Sequence, residues 1–157
     1  MLVLTETALD PHDVQRLATL HEPDEARAHV VVPSGTDQST LDQIVDDIAR
    51  TDFDELAEDV DPQTTDEQEV ATAQEALNSS VRALSAAGVT AVGSLVPKSP
   101  VNRVAELAVS ESVDEIIVIT EPHLVTDVLR RDWATRLRHK VHLPVLHFIA
   151  GTDQVVS

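Results

Sequence analysis

The stretch from Asp114 to Thr120, Asp-Glu-Ile-Ile-Val-Ile-Thr, constrains this chain more than any other part of it. Four consecutive β-branched residues, Ile116, Ile117, Val118 and Ile119, leave no polar face. A strand built from them is therefore covered on both sides, which is the signature of a parallel sheet flanked by helices. In open sheets of that kind, ligands sit in the crevice beyond the carboxyl ends of the strands. Here that position falls on Thr120, Glu121, Pro122 and His123.

Before and after this strand the chain alternates helix and strand. Met1 to Thr5 reads as a first strand. Asp10 is a suitable N-cap and Pro11 a suitable first helical residue, with Val14, Leu17, Ala18 and His21 on the inner stripe. His29 to Val32, stopped by Pro33, makes a second buried strand and completes a βαβ unit with a right-handed crossover. Leu41, Ile44, Val45 and Ile48 have helical spacing, so a short amphipathic helix is expected near Ser39 to Arg50. From Glu67, the residues Val70, Ala73, Leu77, Val81 and Leu84 define a clear helix that Gly88 terminates. Val89 to Val96 is the third strand, and its Gly93 marks a bend or an edge. Ser99 and Pro100 repeat the cap and first-position signal for the helix that leads into Ile116. A last helix carries Val125, Leu129, Trp133, Leu137 and Val141, and Val145 to Ile149 is the fifth strand.

The 157 residues fit one domain with a single sizeable core, so residues 1–157 are read as one α/β unit. Fourteen of the 28 carboxylates lie between Asp37 and Glu75, where Arg50 is the only base. Residues 34–66 accordingly read as an acidic, solvated, partly mobile excursion over the sheet rather than a second domain. The net charge of −17 argues against nucleic acid or an anionic membrane as partner, because phosphate contacts need a basic surface. The absence of cysteine removes disulfides, thiolate metal sites and thiol nucleophiles together. Neither a leader nor a membrane span is apparent, and a cytoplasmic location is expected.

Three phrases then point to a family: ALSAAGV before the third strand, VPKSPVNRVAELAVSESVDEIIVI into the fourth, and WATRLRHKVHLPVLHF into the fifth. They resemble the universal stress protein family over nearly the whole chain except residues 34–66. The resemblance implies a doubly wound five-stranded parallel sheet of order 3-2-1-4-5 with helices on both faces. It further implies a stress-response role and a homodimer formed through the last strand, with Val145, His147 and Ile149 at the contact.

One part of the family pattern is missing. Members that bind ATP carry G-x2-G-x9-G-[ST] after the fourth strand, because glycines let backbone N–H groups approach phosphates that a β-carbon would obstruct. Thr120 and His123 stand at the first two glycine positions, and the third falls among Arg131, Asp132 and Trp133. Pro122 removes a donor and Glu121 repels phosphate. The first strand ends Thr5-Glu6-Thr7, without the aspartate that such members place there for the nucleotide. The sequence resembles members that lack the glycine motif, and no ATP or other cofactor is expected.

The candidate site residues are Glu6, Thr120, Glu121, His123, Arg130 and Arg131. Glu6 and Glu121 at adjacent strand ends suit acid–base or cation chemistry, and equally a role as solvated helix caps. His123 suits a polar ligand or a cap on the last helix. Arg130 and Arg131 suit an anion held by guanidinium groups, or pairing with the acidic excursion. His139, His142 and His147 match no zinc spacing, and no metal is assigned. No Gly-x-Ser-x-Gly elbow follows a strand, and no serine, histidine and acid are locally grouped. The expected function is a non-catalytic homodimeric regulatory or protective module. The alternative is a small-molecule or nucleotide sensor whose crevice after the fourth strand has been re-tooled.

Overall fold

The computed structural model describes residues 1–22, 24–35, 62–122 and 128–156, with the side chains of 62–65 and 128–132 excepted. The elements run β1 (Leu2–Thr5), α1 (Pro11–Thr19), β2 (Arg27–Pro33), α2 (Pro62–Ala86), β3 (Thr90–Val96), α3 (Val101–Ser110), β4 (Ile116–Thr120), α4 (Val128–Lys140) and β5 (Val145–Ile149). The strands form a five-stranded sheet in the order β3-β2-β1-β4-β5, all neighbours parallel. This is the expected doubly wound arrangement. Its strand order reverses at β1, whose two neighbours are β2 on one side and β4 on the other.

Alternation along each strand divides the core in two. Val3, Val30, Val32, Ile117, Ile119 and Phe148 meet Val14 and Leu17 of α1 and Ala73, Leu77 and Leu84 of α2 on one face. Leu2, Leu4, Val31, Ile116, Val118 and Val145 meet Val101, Val104 and Leu107 of α3 and Trp133, Ala134 and Leu137 of α4 on the other. All five residues of β4 are buried, which is what the unbroken apolar run required. Each such Leu, Ile or Val contributes about 1.5–3 kcal/mol relative to an exposed one.

Element ends show where local chemistry competes with pattern. Asp10 caps α1 as expected, its side chain accepting from the His12 N–H at 2.8 Å, with Pro11 in the first turn. Gly88 ends the turn after α2 at φ +90°, and Val89 N–H returns to the Leu84 carbonyl at 3.0 Å. Helix α2 starts at Pro62, upstream of Glu67, because proline suits a first helical turn even where no apolar residue marks the periodicity. The cap of α3 is Pro100, already helical at φ −80° and ψ −14°, so the helix starts one residue later than Ser99 and Pro100 suggest. The expected helix from Ser39 to Arg50 and most of the acidic excursion lie outside the described residues.

Gly93 lies on an edge strand, and its reason is packing rather than a bend. A β-carbon there would stand 2.4 Å from Leu77 Cδ1 and 3.0 Å from Val81 Cγ2. The missing side chain lets α2 lie directly against β3.

Candidate functional site at the strand switch point

The carboxyl ends of β1 and β4 bracket the point where strand order reverses, the place where open sheets of this kind take their ligands. From β1 come Thr5, Glu6 and Thr7; from β4 come Thr120 and Glu121. Thr5 is buried, and its hydroxyl donates to the Thr7 carbonyl at 2.9 Å, which tightens the loop. The Thr7 hydroxyl in turn donates to Glu121 Oε1 at 2.8 Å. A carboxylate is thereby held across the carboxyl-end mouth of the sheet by a residue 114 positions away in sequence. Thr7 follows directly on Glu6, so the loop that carries Glu6 is tied to Glu121.

Thr120 does not present its side chain to this mouth. Strand alternation turns it onto the α3/α4 face, where it is 1% exposed and its Oγ1 lies 2.8 Å from His147 Nε2. His147 on β5 is equally buried, so the pair gives each of two desolvated polar groups a hydrogen-bond partner. The backbone carbonyl of Thr120 accepts from Ala150 N–H at 2.9 Å, continuing the β4–β5 ladder past the strand end. His123 lies outside the described residues. Arg130 and Arg131 fall in the first turn of α4, and their guanidinium groups lie outside the described side chains. Among the described residues no group of three or more histidines and carboxylates converges as a metal would require.

A second polar constellation stands toward the opposite end of the sheet, where sequence reading found none. His29 of β2 is nearly buried; its Nδ1 lies 2.5 Å from Glu111 Oε2 at the end of α3, and its Nε2 lies 2.6 Å from Ser94 Oγ of β3. Serine, histidine and acid are thus linked in series. His29 and Glu111 help line a cavity of about 480 Å³ with His21, Arg27 and Asp114, and Ser94 is not among its lining residues. Nearby, His21 pairs with Glu115. The signal for this group was His29 interrupting an otherwise apolar strand, but its partners follow only from the β2–β3 register and the end point of α3.

The third feature is the outer edge of β5. The chain reverses after Ile149 through Gly151, at φ +68°, and returns antiparallel, with Phe148 opposite Val155. Ile149 N–H donates to the Gln154 carbonyl at 3.2 Å, and Val156 N–H donates to the His147 carbonyl at 2.8 Å. The side chains of Val145 and His147 are buried within the chain, and Ile149 is half-buried. What the expected dimer contact offers to a second chain is thus mainly backbone.

Helix α1 holds this reversed tail. Asp13 Oδ2 accepts from Gly151 N–H at 3.0 Å, while Arg16 donates to the Thr152 carbonyl at 2.9 Å and stacks 3.6 Å above the centre of the Phe148 ring. His12 Nε2 lies 2.9 Å from Asp153 Oδ1. Asp13 is 1% exposed, and its Oδ1 has no hydrogen-bond partner among the described residues. Burial pushes the Asp13 carboxyl above its ordinary range; the Gly151 N–H pulls it back and Asp10 raises it further.

These features define a doubly wound α/β domain with a Thr7–Glu121 bridge at its strand switch point. Its fold is that of universal stress proteins. The structure of the universal stress protein from Archaeoglobus fulgidus matches with a TM-score of 0.52 at 14% identity, over 94% of this chain and 92% of that chain. The hypothetical protein PH0823 matches with a TM-score of 0.49 at 16% identity, over 97% of each chain. No protein-family model and no curated protein matches the sequence.

Proposed function

We propose that this protein is a non-catalytic, homodimeric interaction module of the universal-stress type, acting in regulation or protection under stress without binding ATP as glycine-motif members do. The observation that carries the reading is the Thr7–Glu121 hydrogen bond across the switch point. A carboxylate held where a nucleotide's phosphates would lie repels them, and the sequence has no glycine at position 120 or 123 to let backbone N–H groups close on an anion. The net charge of −17 acts in the same sense over longer range. No helix among the described residues is long and apolar enough to cross a membrane. A cytoplasmic setting, with neither nucleic acid nor lipid as partner, belongs to the same proposal.

Native mass spectrometry of the freshly purified chain tests this reading. The expected spectrum contains a homodimer and no retained nucleotide mass. A chain that carries stoichiometric adenine nucleotide through purification would overturn the reading of the crevice and favour a sensor.

A further inference from the structure

We propose that Gln154–Val156 is a displaceable strap that governs access of a second copy of this chain to the β5 edge. The inference rests on the homodimer reading above and adds to it the device that regulates the contact.

In the β4–β5 ladder, Ile116 N–H donates to the Pro144 carbonyl and Ala150 N–H to the Thr120 carbonyl. Even-numbered residues of β5 therefore face β4, and the backbone groups of Val145, His147 and Ile149 point to the outside. Those outward groups are the ones a second β5 would use in an isologous antiparallel pairing. Several of them are already engaged within the chain. The Val145 carbonyl accepts from Arg138 Nε at 3.2 Å, the His147 carbonyl from Val156 N–H, and Ile149 N–H donates to Gln154. Strap and partner strand compete for the same donors and acceptors, so both cannot be seated together.

The strap is built to leave. It is anchored to the edge by two backbone hydrogen bonds, and Val155 is 55% exposed, so little apolar surface holds it down. The anchorage lies in the turn before it, where Asp13, Arg16 and His12 of α1 hold residues 151–153. Closed, the strap removes an edge that would otherwise template strand addition. Open, it exposes a parallel-sheet edge whose side chains stay packed inside their own chain, leaving the backbone to make the contact.

The test uses the 157-residue chain in sedimentation equilibrium, with two separate substitutions. Val156→Pro removes the N–H that reaches His147, and Arg16→Gln loosens the turn without touching the strap backbone. The unaltered chain is expected to dimerise weakly. Both variants are expected to dimerise at roughly tenfold lower concentration, the factor that the loss of a closed state held by two hydrogen bonds allows. Adding Val145→Pro, which removes an outward N–H at the first residue of β5, should return Val156→Pro to the monomer. Equal dimerisation of variants and unaltered chain would overturn the strap and leave the dimer intact. Monomers throughout would overturn both.

Discussion

Thr7 and Glu121 are joined by a 2.8 Å hydrogen bond that links the loops leaving β1 and β4, the two strands between which the sheet reverses its winding. The bond places a negative charge at the position that doubly wound domains use for ligands. It also ties the two halves of the sheet at their open end.

Thr7→Val should loosen that tie. The bond is only part-buried, so the loss is expected near about 1 kcal/mol, read as a lower urea midpoint with an unchanged slope. Glu121→Gln keeps an acceptor for Thr7 and should stay close to the unaltered chain. A larger loss for Glu121→Gln than for Thr7→Val would show that the charge, and not the hydrogen bond, organises the crevice.

Gly93→Ala is expected to destabilise by about 1–3 kcal/mol, because its β-carbon would overlap Leu77 and press on Val81. Double variants with Leu77→Ala should recover part of this loss if the clash is local. Chemical denaturation of the single and double variants measures the coupling.

The contrast between β4 and Gly93 explains how much was legible beforehand. Ile116–Ile119 fixed a two-sided strand by composition alone, and Asp10-Pro11 fixed a helix start by local capping, so the alternation of elements and the layers followed from short-range patterns, while the strand order came with the family resemblance. Gly93 read as a bend or an edge; the edge is observed, but the packing cause, the Leu77 side chain, arrives from another element. In the crevice, Glu121 stood out as a carboxylate after a strand, but its partner depended on how the β1 loop curls through Thr5. Thr120 was assigned to the mouth from its position, whereas strand alternation buries it against His147. The Ser94–His29–Glu111 series needs the β2–β3 register and the length of α3 together, and neither is written in any one segment.

That series makes its own prediction. Ser94→Ala removes the partner of a nearly buried imidazole nitrogen and is expected to destabilise by about 1–3 kcal/mol. If the series is a structural network, as a non-catalytic protein requires, a fluorophosphonate should leave Ser94 unmodified. Labelling of Ser94 that His29→Ala abolishes would establish a nucleophile and contradict a non-catalytic protein.

Asp13 sets a pH dependence of definite sign. Its carboxyl is raised in the folded chain, chiefly by burial, so the folded state binds the proton more tightly than the unfolded one. The associated stability is fully present below the unfolded value, about 4, and is lost as pH rises through the folded value. Asp13→Asn retains an acceptor for Gly151 N–H and carries no charge to desolvate. It should raise the melting temperature at pH 7 and flatten this part of the pH profile. A lower melting temperature for Asp13→Asn at pH 7 would mean that the charged form is favoured through Arg16 and His12.

The central claim is that a retained scaffold has lost its phosphate chemistry at the switch point. Isothermal titration of Mg-ATP into the unaltered 157-residue chain tests it most directly. The expected result is no saturable heat, with the same outcome for inorganic phosphate. Stoichiometric, saturable binding of Mg-ATP that Glu121→Ala strengthens or Thr7→Val alters would place nucleotide in the crevice and contradict the account.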